Sequence, residues 1–181
     1  MNPLNDKIIV KVDADQKRFV DVGGNNFLLA KQYTNNRREQ NPVVCEVVIG
    51  NSKVKAGEFL LVHHNRFSEH SPYELDNGHY AIPYDRSLFA RINDKGEPRS
   101  MCGNVIAQRV EKSSAIEVAA SYKKNYNDRV IVLSNGYGYK KGDEIFTYPF
   151  SDYEIVYVWK GEEKRVVKIF FEDICGKLSK N

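Results

Sequence analysis

The chain has 181 residues, of which 41% are apolar and 28% charged, with a formal net charge of +3. This is the composition of a folded globular protein with room for one medium domain or two small ones. The charge is too small, and the pairs Arg37-Arg38, Lys123-Lys124 and Lys140-Lys141 too scattered, for a nucleic-acid footprint; no window spans a membrane, and Met1-Asn2-Pro3-Leu4-Asn5-Asp6 carries no apolar export segment, so a cytoplasmic location is expected.

In chain order, the runs 7–12, 43–49, 58–62 and 79–82 are short, rich in β-branched or aromatic residues, and bounded by Gly, Asn and Pro, which predicts strands. Between the first two lies a segment from Asp13 to Gln40 holding Gly23-Gly24, Asn25-Asn26 and Asn35-Asn36-Arg37-Arg38, with little strand character and one apolar patch, Phe27-Leu28-Leu29. Glycine permits positive φ and Asn tolerates it, so a loop is expected over residues 14–41. Its apolar patch has two readings, a strand that covers its own barrel or a mobile arm tipped for a partner. Asp76-Asn77-Gly78 and Lys160-Gly161-Glu162 are hairpin turns, the second between the strands 153–159 and 165–170. Asn93-Asp94-Lys95-Gly96-Glu97-Pro98 is a boundary signal, dividing the chain into 1–97 and 98–181. No segment sustains a helical apolar period, although 113–122 is ambiguous, and the chain is predicted to be all-β.

The sequence also repeats. Residues 45–61 return as 130–146, each an apolar strand, an Asn/Gly turn, Lys-x-Gly-acid and a second apolar strand. Lys7-Ile8-Ile9-Val10 matches Asn104-Val105-Ile106-Ala107 at a separation of 104 − 7 = 97, Asn51 matches Asn135 at 135 − 51 = 84, and Arg86–Ile92 matches Glu172–Leu178 at 172 − 86 = 86. The drop of 97 − 84 = 13 residues falls within the long loop, so the second copy has mostly lost it. Two small units of about 90 residues are expected.

Catalytic and metal chemistry find little support. His63, His64, His70 and His79 cluster near Glu69, Glu74 and Asp76, but an adjacent His pair on a strand points to opposite faces, and no metal is expected. Cys45, Cys102 and Cys175 lack C-x-x-C spacing, and two of them sit in apolar runs expected in the core. Asn135–Gly142 lacks the G-x-x-x-x-G-K-[ST] spacing of a phosphate loop and is followed by a strand, so it reads as a tight turn. G-x-S-x-G and H-E-x-x-H are absent, and neither an enzyme nor a cofactor is expected.

These residues resemble the GroES family of co-chaperonins, the β-barrel lids of chaperonin cages. Pro3–Lys11 is similar to that family's opening strand, Gly23-Gly24 with Phe27-Leu28-Leu29 to its mobile loop, Glu46–Asn51 and Val54–Glu58 to its barrel strand and Val-Lys-x-Gly-Asp element; Tyr139–Asp143 and Glu172–Leu178 fit the same pattern in the second copy. Family members place a roof hairpin after the Gly-Asn turn; Gly50–Val54 and Ser134–Tyr139 leave no room for one, which resembles bacteriophage-encoded co-chaperonins and adds host cytoplasm or a virion to the possible locations. The second copy keeps only Ile116-Glu117-Val118 in place of a full loop. The resemblance implies two tandem GroES-like small β-barrels, the first with a mobile loop that binds a GroEL-like chaperonin ring through Gly23, Gly24, Phe27, Leu28 and Leu29, and assembly into a ring-shaped homo-oligomer. A structural protein of a virus particle or another large assembly is the alternative, since a fold does not fix a function.

Overall fold

The computed structural model describes residues 6–12, 19–22, 25–28, 39–40, 42–67, 71–76, 78–110 and 129–178. Among them the chain is all-β, with two short 3-10 turns at His64–Phe67 and Phe171–Asp173 and no α-helix. The strands are β1 (Lys7–Lys11), β2 (Phe19–Val22), β3 (Asn25–Leu28), β4 (Glu39–Gln40), β5 (Val43–Ile49), β6 (Phe59–Val62), β7 (Glu74–Asp76), β8 (His79–Pro83), β9 (Leu88–Ile92) and β10 (Pro98–Ser100). They continue with β11 (Asn104–Arg109), β12 (Arg129–Val132), β13 (Glu144–Thr147), β14 (Asp152–Trp159), β15 (Glu162–Phe170) and β16 (Ile174–Lys177).

Two seven-stranded sheets hold all of these but β2 and β3. The first runs β10-β9-β6-β5-β1-β8-β7 and the second β16-β13-β12-β11-β15-β14-β4. Six strands of the first, β9-β6-β5-β1-β8-β7, have counterparts in the same order in the second, β16-β13-β12-β11-β15-β14. Every pairing is antiparallel except β4 on β14, where Glu39 and Gln40 lie opposite Glu154 and Ile155. Among the described residues no strand pair closes either sheet into a ring. Pro98–Ser100 hydrogen-bonds along β9 and so extends the first sheet.

The register refines the repeat. Val10 faces Val47, and Ala107 faces Val132, giving separations of 107 − 10 = 97 and 132 − 47 = 85. Lys-x-Gly-acid follows the second value, since 140 − 55 = 85 and 143 − 58 = 85. The value of 84 taken from Asn51 and Asn135 is thus one short, because four positions separate Asn51 from Lys55 and five separate Asn135 from Lys140. Each asparagine bonds within its own turn, but to different donors. The Asn51 side-chain oxygen accepts the N–H of Lys53 at 2.8 Å and of Val54 at 3.1 Å, and that of Asn135 accepts the N–H of Lys141 at 2.8 Å.

Lys-x-Gly-acid has a physical reason in both copies. The Gly57 N–H donates to the Val47 carbonyl and the Gly142 N–H to that of Val132, with φ of +82° and +88° that a side chain would disfavour. The acid that follows turns back to accept the lysine's own N–H, Glu58 from Lys55 at 3.0 Å and Asp143 from Lys140 at 2.7 Å. The same acid pairs with a cation on the next strand, Glu58 with Arg91 at 2.9 Å and Asp143 with Lys177 at 2.7 Å. One carboxylate therefore closes the turn and fixes the neighbouring strand.

Period-2 alternation sends one face of each sheet inward on its own unit. In the first, Ile8, Val10, Cys45, Val47, Leu60, Ile82 and Met101 form one cluster; in the second, Val105, Ala107, Val130, Val132, Ile145 and Ile169 form another. A third cluster joins the two from their other faces: Val44, Leu61, Phe89, Ala90 and Ile92 from the first sheet meet Ile106, Ile155, Tyr157, Trp159 and Val166 from the second.

The β14–β15 hairpin clasps this junction. It is far longer than its counterpart β7–β8, and its outer end reaches the Asn93–Glu97 turn of the first unit. The Tyr157 hydroxyl donates to the Gly96 carbonyl at 2.8 Å and the Trp159 indole N–H to the Asp94 carbonyl at 3.4 Å. Trp159 packs edge-on against Phe59 at 5.1 Å between ring centroids. Gly96 sits at φ +78°, and a Cβ there would lie 2.5 Å from the indole ring, so the turn and the tryptophan are fitted to each other.

Candidate functional site

Phe27 and Leu28 lie in β3, which pairs with β2 in a two-stranded sheet of its own. Phe19 stands opposite Leu28, Val20 opposite Phe27, Asp21 opposite Asn26 and Val22 opposite Asn25. The segment read from its sequence as a loop of turn formers therefore contains a β-hairpin. Its signal was present in the chain: two residues, Gly23-Gly24, between Phe-Val-Asp-Val and Asn-Asn-Phe-Leu. Gly23, Gly24 and Leu29 lie outside the described residues, as do the ambiguous 113–122 segment and Ile116-Glu117-Val118. Among the described residues the hairpin joins neither large sheet, and the pairing of Phe27 is with Val20 of the hairpin itself.

The histidines do not converge. His63 and His64 stack at 4.5 Å, His79 pairs with Lys11 across β8 and β1, and His70 lies outside the described residues. Among the described residues no group of His, Cys, Asp and Glu is arranged to hold a metal ion. Asn135–Gly142 is a tight turn closed by paired backbone bonds between Gly136 and Tyr139. The cysteines are free, and only Cys45 is in the core, its thiol pushed up by burial. Two cysteines were expected in the core; Cys102 is only half-buried, and Cys175 is exposed on the edge strand β16, which presents Ile174 to the core. No described helix is long and apolar enough to cross a membrane.

The main chemical feature that the sequence reading passed over is Lys168. It lies on β15 between Val167 and Ile169, which face the second core, so it points to the junction, 2% exposed. Its Nζ sits 4.1 Å from the ring centroid of Phe170, 4.4 Å from that of Phe89 and 4.6 Å from that of Tyr153. Burial pushes the ammonium down to about 8, against the pull of Asp173. A lone lysine inside Arg-Val-Val-Lys-Ile-Phe was the available signal, but a half-buried strand normally turns such a residue to solvent.

A scan against protein-family models gave no match, and a comparison with curated proteins gave none.

Proposed function

We propose that the protein is a co-chaperonin-like lid subunit: two GroES-like barrel units in tandem, of which the first carries a partner-binding hairpin. The observation that supports this reading best is the β2–β3 hairpin, which among the described residues pairs only with itself and carries the apolar Phe27 and Leu28. Three side chains such as Phe27, Leu28 and Leu29 each contribute about 1.5–3 kcal/mol when buried, and ordering the arm consumes much of that. Single contacts are then weak, and a ring of them gains through effective concentration. Replacing Phe27, Leu28 and Leu29 together with Ser should leave the far-ultraviolet circular dichroism unchanged and abolish co-elution with a GroEL-like ring on gel filtration. Retained co-elution would remove the hairpin from the mechanism.

Ring assembly is part of the same proposal, and the internal repeat supplies its register. β10 covers the outer edge of β9, whereas among the described residues nothing covers the equivalent edge of β16. Asp6 at φ +55° and Gly103 at φ +78° are equivalent positions, 103 − 6 = 97, so the chain bends alike before β1 and before β11. By that separation, Pro98–Ser100 corresponds to Met1–Pro3, since 98 − 97 = 1. Arg99 stands opposite Arg91 in the first sheet, and the residues that match these two by sequence separation are Asn2, since 99 − 97 = 2, and Lys177, since 91 + 86 = 177. With Cys175 replaced by Ser, the pair Asn2→Cys and Lys177→Cys should form an intermolecular disulfide on mild oxidation. A pair of Asn2→Cys with Lys140→Cys should not.

The second reading, a structural protein of a virus particle or large assembly, draws on the clasped junction, which makes the tandem units a stiff building block. Self-assembly with no chaperonin complex on native mass analysis selects it.

A further inference from the structure

The junction between the sheets carries two basic side chains at one aromatic ring. Phe89, 1% exposed on β9, has the Lys168 ammonium 4.4 Å from its centroid and the His63 ring edge-on at 5.6 Å. His63 follows β6 with the same parity as Phe59 and Leu61, so it points to the junction, as Lys168 does from the opposite sheet. His63 Nδ1 accepts the Asn65 backbone N–H at 3.1 Å, which puts the proton of the neutral ring on Nε2. A second proton can enter only at Nδ1, and it turns that acceptor into a donor facing a donor.

We infer that His63 is an acid-sensitive latch on the junction: a proton on Nδ1 breaks the bond to Asn65, sets a second positive charge beside the ring that already carries Lys168, and loosens the contact between the two sheets. The charged surroundings favour this. Among the described residues the groups acting on His63 are His64, Arg66 and Lys168, all basic, and Arg66 is itself committed to Asp85 at 2.5 Å. Around Lys168 stand the Asp173 carboxylate and, over the far ring Phe170, the Arg86 guanidinium, which pairs with Glu172. Among the described residues the acid acting on Lys168 thus belongs to its own unit, and no acid acts on His63. Burial first, then His64, Lys168 and Arg66, hold His63 down at about 4 from its ordinary 6.5. A base held down on folding contributes stability that is complete above 6.5 and is lost as pH falls from there towards 4.

The inference does not depend on what the hairpin binds. Trp159, the chain's one tryptophan, lies in the junction cluster and reports on it in the full-length protein. Wild-type emission should shift to the red as pH falls from 6.5 to 4. His63→Gln, shown folded at neutral pH by circular dichroism, should lose the transition or move its midpoint down by at least about one pH unit. Lys168→Met, which keeps the histidine and removes its neighbour's charge, should also move the midpoint down. Wild-type emission that is flat over that range overturns the inference, as does a curve that either variant leaves in place.

Discussion

Trp159→Ala should cost about 3–5 kcal/mol of unfolding free energy and lower the chemical-denaturation midpoint more than a truncation in either unit's interior of like size. Three losses combine at this position. The indole is 8% exposed, so truncation opens a cavity between Phe59 and the Asn93–Glu97 turn. The bond to the Asp94 carbonyl goes with it, and the turn itself, shaped so that Gly96 meets the indole directly, loses the surface it rests on. Because these contacts join the clasp of one unit to a turn of the other, the variant should also unfold less cooperatively, with separate transitions for the two units. A single sharp transition of unchanged midpoint would show that the clasp does not hold the junction.

Lys168→Met should act in the opposite direction, stabilising the protein at neutral pH by about 1–3 kcal/mol. Lowering an ammonium from 10.5 to about 8 corresponds to roughly 3 kcal/mol of disfavoured charge, and three aromatic faces return part of it. Methionine fills a similar volume without the charge. The sign with pH follows from the protons bound. Between 8 and 10.5 the unfolded lysine is protonated and the folded one is not, so wild-type stability rises with pH through that window and the variant lacks the rise. Tyr84 and Tyr157, pushed up to about 12 chiefly by burial, act the other way above 10, where the unfolded phenols ionise first. The difference between wild type and variant, followed by urea unfolding from neutral pH to just below 10, isolates the lysine. A difference that does not shrink as pH rises would mean that the aromatic box offsets the burial fully.

What could be read in the chain follows the range of the interactions. The duplicated units were legible because their signals are local: Asn51 and Asn135 bond within their own turns, and Gly57 and Gly142 need positive φ whatever surrounds them. Strand periodicity then carries the order of six strands twice over. The hairpin of β2 and β3 was also local, but the asparagines around Gly23-Gly24 weighed towards a loop, and a pairing between strands of four residues leaves a faint pattern. Lys168 and His63 were illegible for another reason. Alternation says which residues share a face, but not that a second sheet covers that face, and the third cluster arises only from packing one unit on the other. Cys175 shows the same limit at an edge, where an apolar neighbour such as Ile174 does not commit the next residue to the core.

The two residues of β4 cross-tie the two units. The segment that leaves the β2–β3 hairpin pairs with β14 of the second sheet before it enters β5 of the first. On the C-terminal side of the hairpin the chain is thus tied to the far unit before it enters the near one.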